Sequence, residues 1–476
     1  MTELVATITI EEQPEKLSLS KKTGYGSIEF SNSALFTCFT IFGMFFFTDV
    51  VGLEPAIAGT IVALGSVWDA LAGPFFGIVS DSSKSRFGRR RPFILAAAIP
   101  FGLITWLMFT DWGFGEIGTI VYFVIMVMLL FTIIAALDVP YTALGAEMTR
   151  DYDERTSLNT WRAVFMQIGG LVGGVIPISL AAYLGGLFGD TAKGWSYMGL
   201  IIGALTTIVI LYGWRMTRGA ELFPDQNRVR FKDILTGPLT NKPFLYVIGF
   251  YAMGVMTLAL VSTLLVYYLQ DYMLFDEEGV SIAMAIFILP ALLWIPIIDY
   301  VSKTLSKRMA WLIFSIVFMV ANVCLYLFVE PGRELALYVV FFFLSTMSMV
   351  PYQIGWSIIP DCVEIDEYKT GKRREGLYYG TINVISKGGS ALAIFLAGIM
   401  LQIVGYNTEV ATQSFETMEA IRLIFVGGPV LMALVGLVFL ILFPITKVKH
   451  EAILRAIEAK NNGEEVDESS FADCIK

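Results

Sequence analysis

The stretch IGTIVYFVIMVMLLFTIIAA, residues 117–136, decides the fold class. It carries no charge, and about 20 residues at ~1.5 Å rise each cross a ~30 Å hydrocarbon core. Ile424 to Leu442 is a second run of the same kind. Lipid offers the backbone no hydrogen-bond partners, so such runs span as helices. Across the 476 residues, 56 % are hydrophobic and only 16 % charged, too little polarity to cover a soluble surface.

Apolar runs and their breakers predict twelve helices, near 33–53, 55–80, 92–110, 117–146, 158–187, 195–216, 243–270, 279–302, 309–329, 335–359, 377–404 and 420–444. The N-terminus is polar and lacks the basic, apolar and small-residue pattern of a signal peptide, so the first run is expected to insert as a span. Alternate loops are basic. Lys21 and Lys22 precede the first run, Lys84 to Arg91 follow the second, and Arg150, Arg215, Lys303 and Lys372 mark the later even-numbered loops; 271–278 has no Lys or Arg. The positive-inside bias places both termini in the cytoplasm of a multi-pass protein of the plasma (inner) membrane.

The two halves echo each other. Asp138-Val139-Pro140-Tyr141 leads through Asp151, Asp153, Glu154 and Arg155 to Ile168-Gly169-Gly170. Met349-Val350-Pro351-Tyr352 leads through Asp361, Glu364, Asp366 and Glu367 to Lys387-Gly388-Gly389. Both passages run helix, loop, helix in the same orientation. The expected fold is therefore an all-α membrane protein of major facilitator type, with two parallel six-helix halves around a pathway. The segments are a cytoplasmic N-terminus (1–32), an N-terminal half (33–217), a cytoplasmic linker (218–242), a C-terminal half (243–444) and a cytoplasmic tail (445–476).

Net charge is −9, and its acidic excess lies in loops and in the tail from Glu464 to Asp473, so nucleic-acid binding is not expected. Cys38, Cys324, Cys362 and Cys474 show no CxxC spacing, and no disulfide frame, metal site or cofactor is predicted. His450, the single histidine, lies past the last apolar run, leaving no imidazole for chemistry inside the membrane. An enzyme would need a constellation that is not visible, and a sensor would usually add a sizeable soluble domain.

Ionisable groups deep in spans are costly and mark pathways. Asp69 lies 12 residues before Asp81, and Asp138 lies 12 before Arg150. Each is thus roughly 18 Å inside the membrane, and Lys387 reaches a comparable depth. Two carboxylates and an ammonium at one depth point to a central site, with structural pairing as the bland alternative. Asp69 and Asp138 are candidates for cation coupling; Asp138, Arg162, Tyr352 and Lys387 are candidates for substrate binding. Arg162 could equally reach a ligand or snorkel to the interface. Asp49 reads as an interface cap and Glu147 as a gate partner or ligand; Tyr352, Trp161 and Trp356 could stack on a sugar ring or simply pack. Asp81 with Arg89, Arg90 and Arg91 forms the sharpest local motif, a cytoplasmic gate expected to lie against helix 4 or 11, weakly echoed by Asp299 to Arg308.

These residues resemble the glycoside–pentoside–hexuronide:cation symporter family of the major facilitator superfamily, which includes melibiose carriers. The resemblance spans about residues 24–450. It rests on Phe47-Thr48-Asp49-Val50-Val51-Gly52-Leu53, Trp68-Asp69-Ala70, Ser85-Arg86-Phe87-Gly88-Arg89-Arg90-Arg91-Pro92, Asp138-Val139-Pro140-Tyr141, Asp366-Glu367-Tyr368 and Lys387-Gly388-Gly389-Ser390-Ala391. It implies cation-coupled uptake of a sugar, glycoside or uronide by a monomer in contact with membrane lipid. The family's second sodium carboxylate is replaced by Gly73, its polar neighbours by Ala72 and Ala135, its helix-1 sugar carboxylate by Ser33 and its stacking aromatic by Thr142. Proton coupling through Asp69 fits these departures better than sodium. Transport of a lysolipid or other amphipathic solute is the alternative.

Overall fold

The computed structural model describes residues 16–81, 83, 85, 88–149, 151–219, 238–371, 374–408, 410, 412–462 and 468–475. Among them, twelve helices are long and apolar enough to cross a membrane. They are α1 (Leu19–Val50), α2 (Pro55–Asp81), α3 (Arg91–Met108), α4 (Glu116–Met148), α5 (Tyr152–Phe188) and α6 (Thr191–Met216). The second six are α7 (Lys242–Tyr272), α8 (Glu277–Thr304), α9 (Lys307–Phe328), α10 (Glu334–Thr370), α11 (Glu375–Ile403) and α12 (Phe415–Leu442). A further helix, α13 (Lys447–Asn461), follows.

Pairing repeats between the halves. α1 packs on α5 and α6, and α3 on α4 and α6; correspondingly α7 packs on α11 and α12, and α9 on α10 and α12. Three seams join the halves: α2 with α11, α5 with α8, and α1 with α7. A π-turn ends both α1 (Phe46–Val50) and α7 (Tyr268–Tyr272), each with an aspartate in its fourth position. The face with the chain ends is called here the terminal face, and the other the opposite face.

Three boundaries differ from those the apolar runs predict. α1 begins at Leu19, not at residue 33, so most of the 1–32 segment's described part is helix inside the bundle. Lys22, Glu29, Ser31 and Asn32 have partners on other helices, and its glycines permit close approach: a Cβ on Gly26 would fall 2.9 Å from the Trp161 carbonyl oxygen on α5. α10 continues to Thr370 instead of stopping at 359, carrying Asp361, Glu364 and Asp366 beyond the apolar run. Those carboxylates are balanced by Lys307, His450 and Arg374, which lets the helix persist in a polar setting. The 445–476 tail contains α13, docked on α10. Residues 220–237 of the expected linker lie outside the described residues.

Candidate transport site

The α2–α11 seam changes along its length. Near the opposite face the backbones touch: a Cβ on Gly398 would lie 2.5 Å from the Pro55 carbonyl oxygen and 3.1 Å from Gly59 Cα. In the middle, Lys387 Nζ donates to Asp69 Oδ2 at 2.6 Å, with a longer contact to the Asp69 carbonyl oxygen at 3.4 Å. Nearer the terminal face, a Cβ on Gly73 would meet nothing within 4 Å. The other seams close at the opposite face too. Thr48 Oγ1 bonds Tyr267 OH at 2.7 Å across α1 and α7, and Ser179 Oγ bonds Ser281 Oγ at 2.6 Å across α5 and α8. Among the described residues, ion pairs of the terminal face such as Lys22–Glu154 at 2.9 Å, Lys307–Asp361 at 2.6 Å and Arg374–Asp366 at 2.5 Å join groups of one half. The interior therefore opens towards the terminal face.

Asp138, on α4, accepts a hydrogen bond from Asn32 Nδ2 at 3.2 Å. Glu29, Arg162, Lys387 and Asp69 lie near enough to act on its charge, whereas Tyr352 of the expected site is not among these neighbours. Among the described residues it has no ion-pair partner. The helix-1 residue that faces it is Asn32, not Ser33, whose hydroxyl donates to the Met166 carbonyl at 2.8 Å.

Arg162 neither snorkels nor stands free. Its Nε donates to Glu29 Oε2 at 2.8 Å, and its guanidinium lies 5.5 Å from the Tyr141 ring centroid. Tyr25 stacks on Tyr141 at 4.5 Å. Tyr25, Thr142, Arg155, Asn159 and Arg162 line a cavity of about 210 Å³. Glu29 is the residue that sequence reasoning missed, because it falls in the stretch assigned to the N-terminal segment. The signal was there in Gly24, Gly26, Ser27 and Ser31, small residues that let helices approach.

On the C-terminal side, Tyr352 sits in a π-turn of α10 (Pro351–Gly355) and is 47 % exposed. One turn on, Trp356 donates to Tyr251 OH at 3.1 Å and stacks on Tyr379.

The arginine motif packs on its own half. Arg89 and Arg90 both pair with Glu147 near the end of α4, and Arg90 Nη1 donates to Ser80 Oγ at 2.7 Å. Arg91 donates to the Trp214 carbonyl at 2.6 Å. Asp81 ends α2, and its side chain lies outside what is described. Farther along the terminal face, His450 Nε2 meets Glu364 Oε2 at 2.6 Å and Asp361 Oδ1 at 3.6 Å. The bond to Glu364, above all, holds the imidazole pKa above its ordinary value.

A twelve-helix bundle of two like halves, with charges at mid-depth and an interior open to one face, is a secondary transporter of major facilitator architecture. The profile of the family described as "MFS/sugar transport protein" matches residues 24–447. The uncharacterised symporter YnaJ of Bacillus subtilis (strain 168) is 30 % identical over 456 residues, covering 95 % of this chain and 97 % of that protein. The isoprimeverose transporter of Lactiplantibacillus pentosus is 26 % identical over 466 residues, covering 95 % and 93 % respectively. Among solved structures, a bacterial homologue of the human lysosomal transporter Spinster superposes with a TM-score of 0.70 at 12 % identity, covering 92 % of this chain and 97 % of that one. The chain belongs to the MFS/sugar transport protein family. It is an integral multi-pass membrane transporter of the symporter kind, not an enzyme.

Proposed function

We propose that this chain imports a sugar, glycoside or uronide across the plasma membrane in symport with a proton, with both termini and the 218–242 linker in the cytoplasm. The observation that carries this reading is the Lys387–Asp69 ion pair, which bridges the halves at mid-depth. The Asp69 carboxylate of this pair is buried while the Lys387 side chain is partly exposed, and a buried carboxylate left without its cation is destabilised. Separating α2 from α11 takes Lys387 away from Asp69, and an isolated carboxylate in a poorly hydrated setting favours its neutral form. Proton uptake at Asp69 is thereby tied to the movement that exposes the site to the other side. Asp138, with no cation against it, joins in coupling and offers acceptors to substrate hydroxyls. Arg162 has guanidinium donors beyond the one given to Glu29, and Lys387 and Tyr352 complete the polar lining. The substrate class is supported by the isoprimeverose transporter among the relatives, and cytoplasmic termini by the basic even-numbered loops.

Uptake by proteoliposomes, screened over glycosides, uronides and lysolipids under separate proton and sodium gradients, tests this. Asp69→Asn should retain exchange and lose uphill accumulation, whereas Asp138→Asn should weaken binding itself. Accumulation driven by sodium at fixed pH and indifferent to a proton gradient would refute proton coupling.

A further inference from the structure

The C-terminal half holds a second cavity, outside the transport pathway, where α8, α9, α10 and α12 emerge at the terminal face beside α13. Its volume is about 270 Å³. Lys303, Lys307, Arg308, Lys447 and His450 line it, against the carboxylates of Asp361 and Glu451. Four fixed positive charges line it with two negative ones. Lys303 is paired with Asp299 at 2.6 Å and His450 with Glu364 at 2.6 Å, so the cations left unbalanced are Arg308 and Lys447, facing Glu451.

The individual contacts sharpen the asymmetry. Asp361 is already shared by Lys307 at 2.6 Å and His450 at 3.6 Å, so it cannot neutralise the remaining cations. Arg308 spends one nitrogen on the Ile441 carbonyl at 2.6 Å and, among the described residues, has no carboxylate within 4 Å. Lys447 has neither an ion pair nor a hydrogen bond among them. α9 and α13 both begin at this cavity, so the positive ends of their dipoles add to the same field, although one amide of each first turn is capped by Ser306 or Thr446. The floor is apolar, formed by Ile358, Phe443 and Ile445. A basic rim over an apolar floor, at the depth where spans leave the hydrocarbon, suits a phosphate that is attached to something greasy or arrives free from solution.

We propose that this cavity binds a phosphate group, that of an acidic phospholipid headgroup or of a soluble phosphate, and so ties α13 to the ends of α9 and α10. The transport reading is not needed for this. The double variant Arg308→Gln/Lys447→Gln removes the two cations that lack carboxylate partners while leaving the Lys307–Asp361 pair intact. Arg215→Gln/Arg218→Gln, on the other half, is the charge-matched control.

The full chain, delipidated in detergent, is offered equal phosphatidylglycerol and phosphatidylcholine, and bound lipid is read by native mass spectrometry. In parallel, thermal unfolding is followed with inorganic phosphate or with chloride at matched ionic strength. Retention of phosphatidylglycerol that falls about tenfold in the double variant, and not in the control, establishes the site with a lipid source. Stabilisation by inorganic phosphate that disappears only in the double variant establishes it with a soluble source. If neither probe separates the double variant from the control, the proposal is wrong. Should the double variant fail to fold, Lys447→Gln alone, at an exposed position, must still reduce one of the two signals several-fold.

Discussion

The Tyr406 hydroxyl donates to Asp49 Oδ1 at 2.5 Å, fastening the loop after α11 to the π-turn that ends α1. Thr48 supplies a second donor to the same carboxylate, and Asp271, from the matching π-turn of α7, lies 3.4 Å from the tyrosine oxygen. The two halves thus meet at the opposite face through one hydroxyl between two aspartates.

Tyr406→Phe should weaken this closure. A hydrogen bond to a charged group contributes about 1.5–3 kcal/mol, so the balance between states should move about tenfold or more towards opening at that face. Spin labels at Trp112 and Glu330, on opposite-face loops of the two halves, would report the change as a larger population of long distances. An unaltered distribution would show that Tyr406 does not hold the halves together.

Gly398→Val should act in the same direction by a different route. Its Cβ would press on the Pro55 carbonyl and on Gly59, both backbone and unable to swing aside. Transport should fall at least about tenfold while the unfolding midpoint changes little, because the clash disappears when the seam opens. Equal loss of folded protein and of transport would instead mark a purely structural position.

Arg162→Met should destabilise the fold through the partner it abandons. Glu29 would be left buried without its cation, a penalty of about 3–5 kcal/mol for a fully enclosed pair and about 1–3 kcal/mol here, where the arginine side chain is 32 % exposed. The double variant Glu29→Gln/Arg162→Met should recover most of the lost unfolding midpoint. No recovery would mean that the two residues act separately.

Docking of α13 should depend on pH through His450. Glu364 and Asp361 of α10 and Lys307 of α9 face the ring, and the net effect raises its pKa above 6.5. A raised folded-state pKa contributes fully below 6.5, and the contribution fades as pH rises through the raised value. Protection of the α13 amides, taken relative to their intrinsic base-catalysed exchange, should therefore fall on the alkaline side, and His450→Gln should flatten that dependence.

The helix count, the repeat and the depth of Asp69, Asp138 and Lys387 were legible because membrane spans announce themselves by hydropathy, and a charge within one stands out by its cost. Glu29 was not legible for the converse reason. In the stretch from Leu19 to Asn32, helix is held by tertiary partners, such as Arg162 for Glu29 and the Thr206 carbonyl for Ser31, and local polarity conceals it. The continuation of α10 to Thr370 was hidden likewise, its carboxylates balanced by residues distant in sequence. Asn32 rather than Ser33 facing Asp138 is a matter of helical phase, which one residue's error turns by about 100°.

The closure at the opposite face has a consequence for how the protein meets a changing medium. Thr48–Tyr267, Ser179–Ser281 and Gly59–Gly398 are hydroxyl bonds and backbone contacts, and none of them is a pair of opposite charges. Dissolved ions weaken attractions between charges exposed to water and leave such contacts nearly untouched. Salinity on the side that this closure faces can therefore rise or fall without shifting the resting conformation through these three contacts, which leaves the Asp49–Tyr406–Asp271 group as the part of the closure that salt can reach.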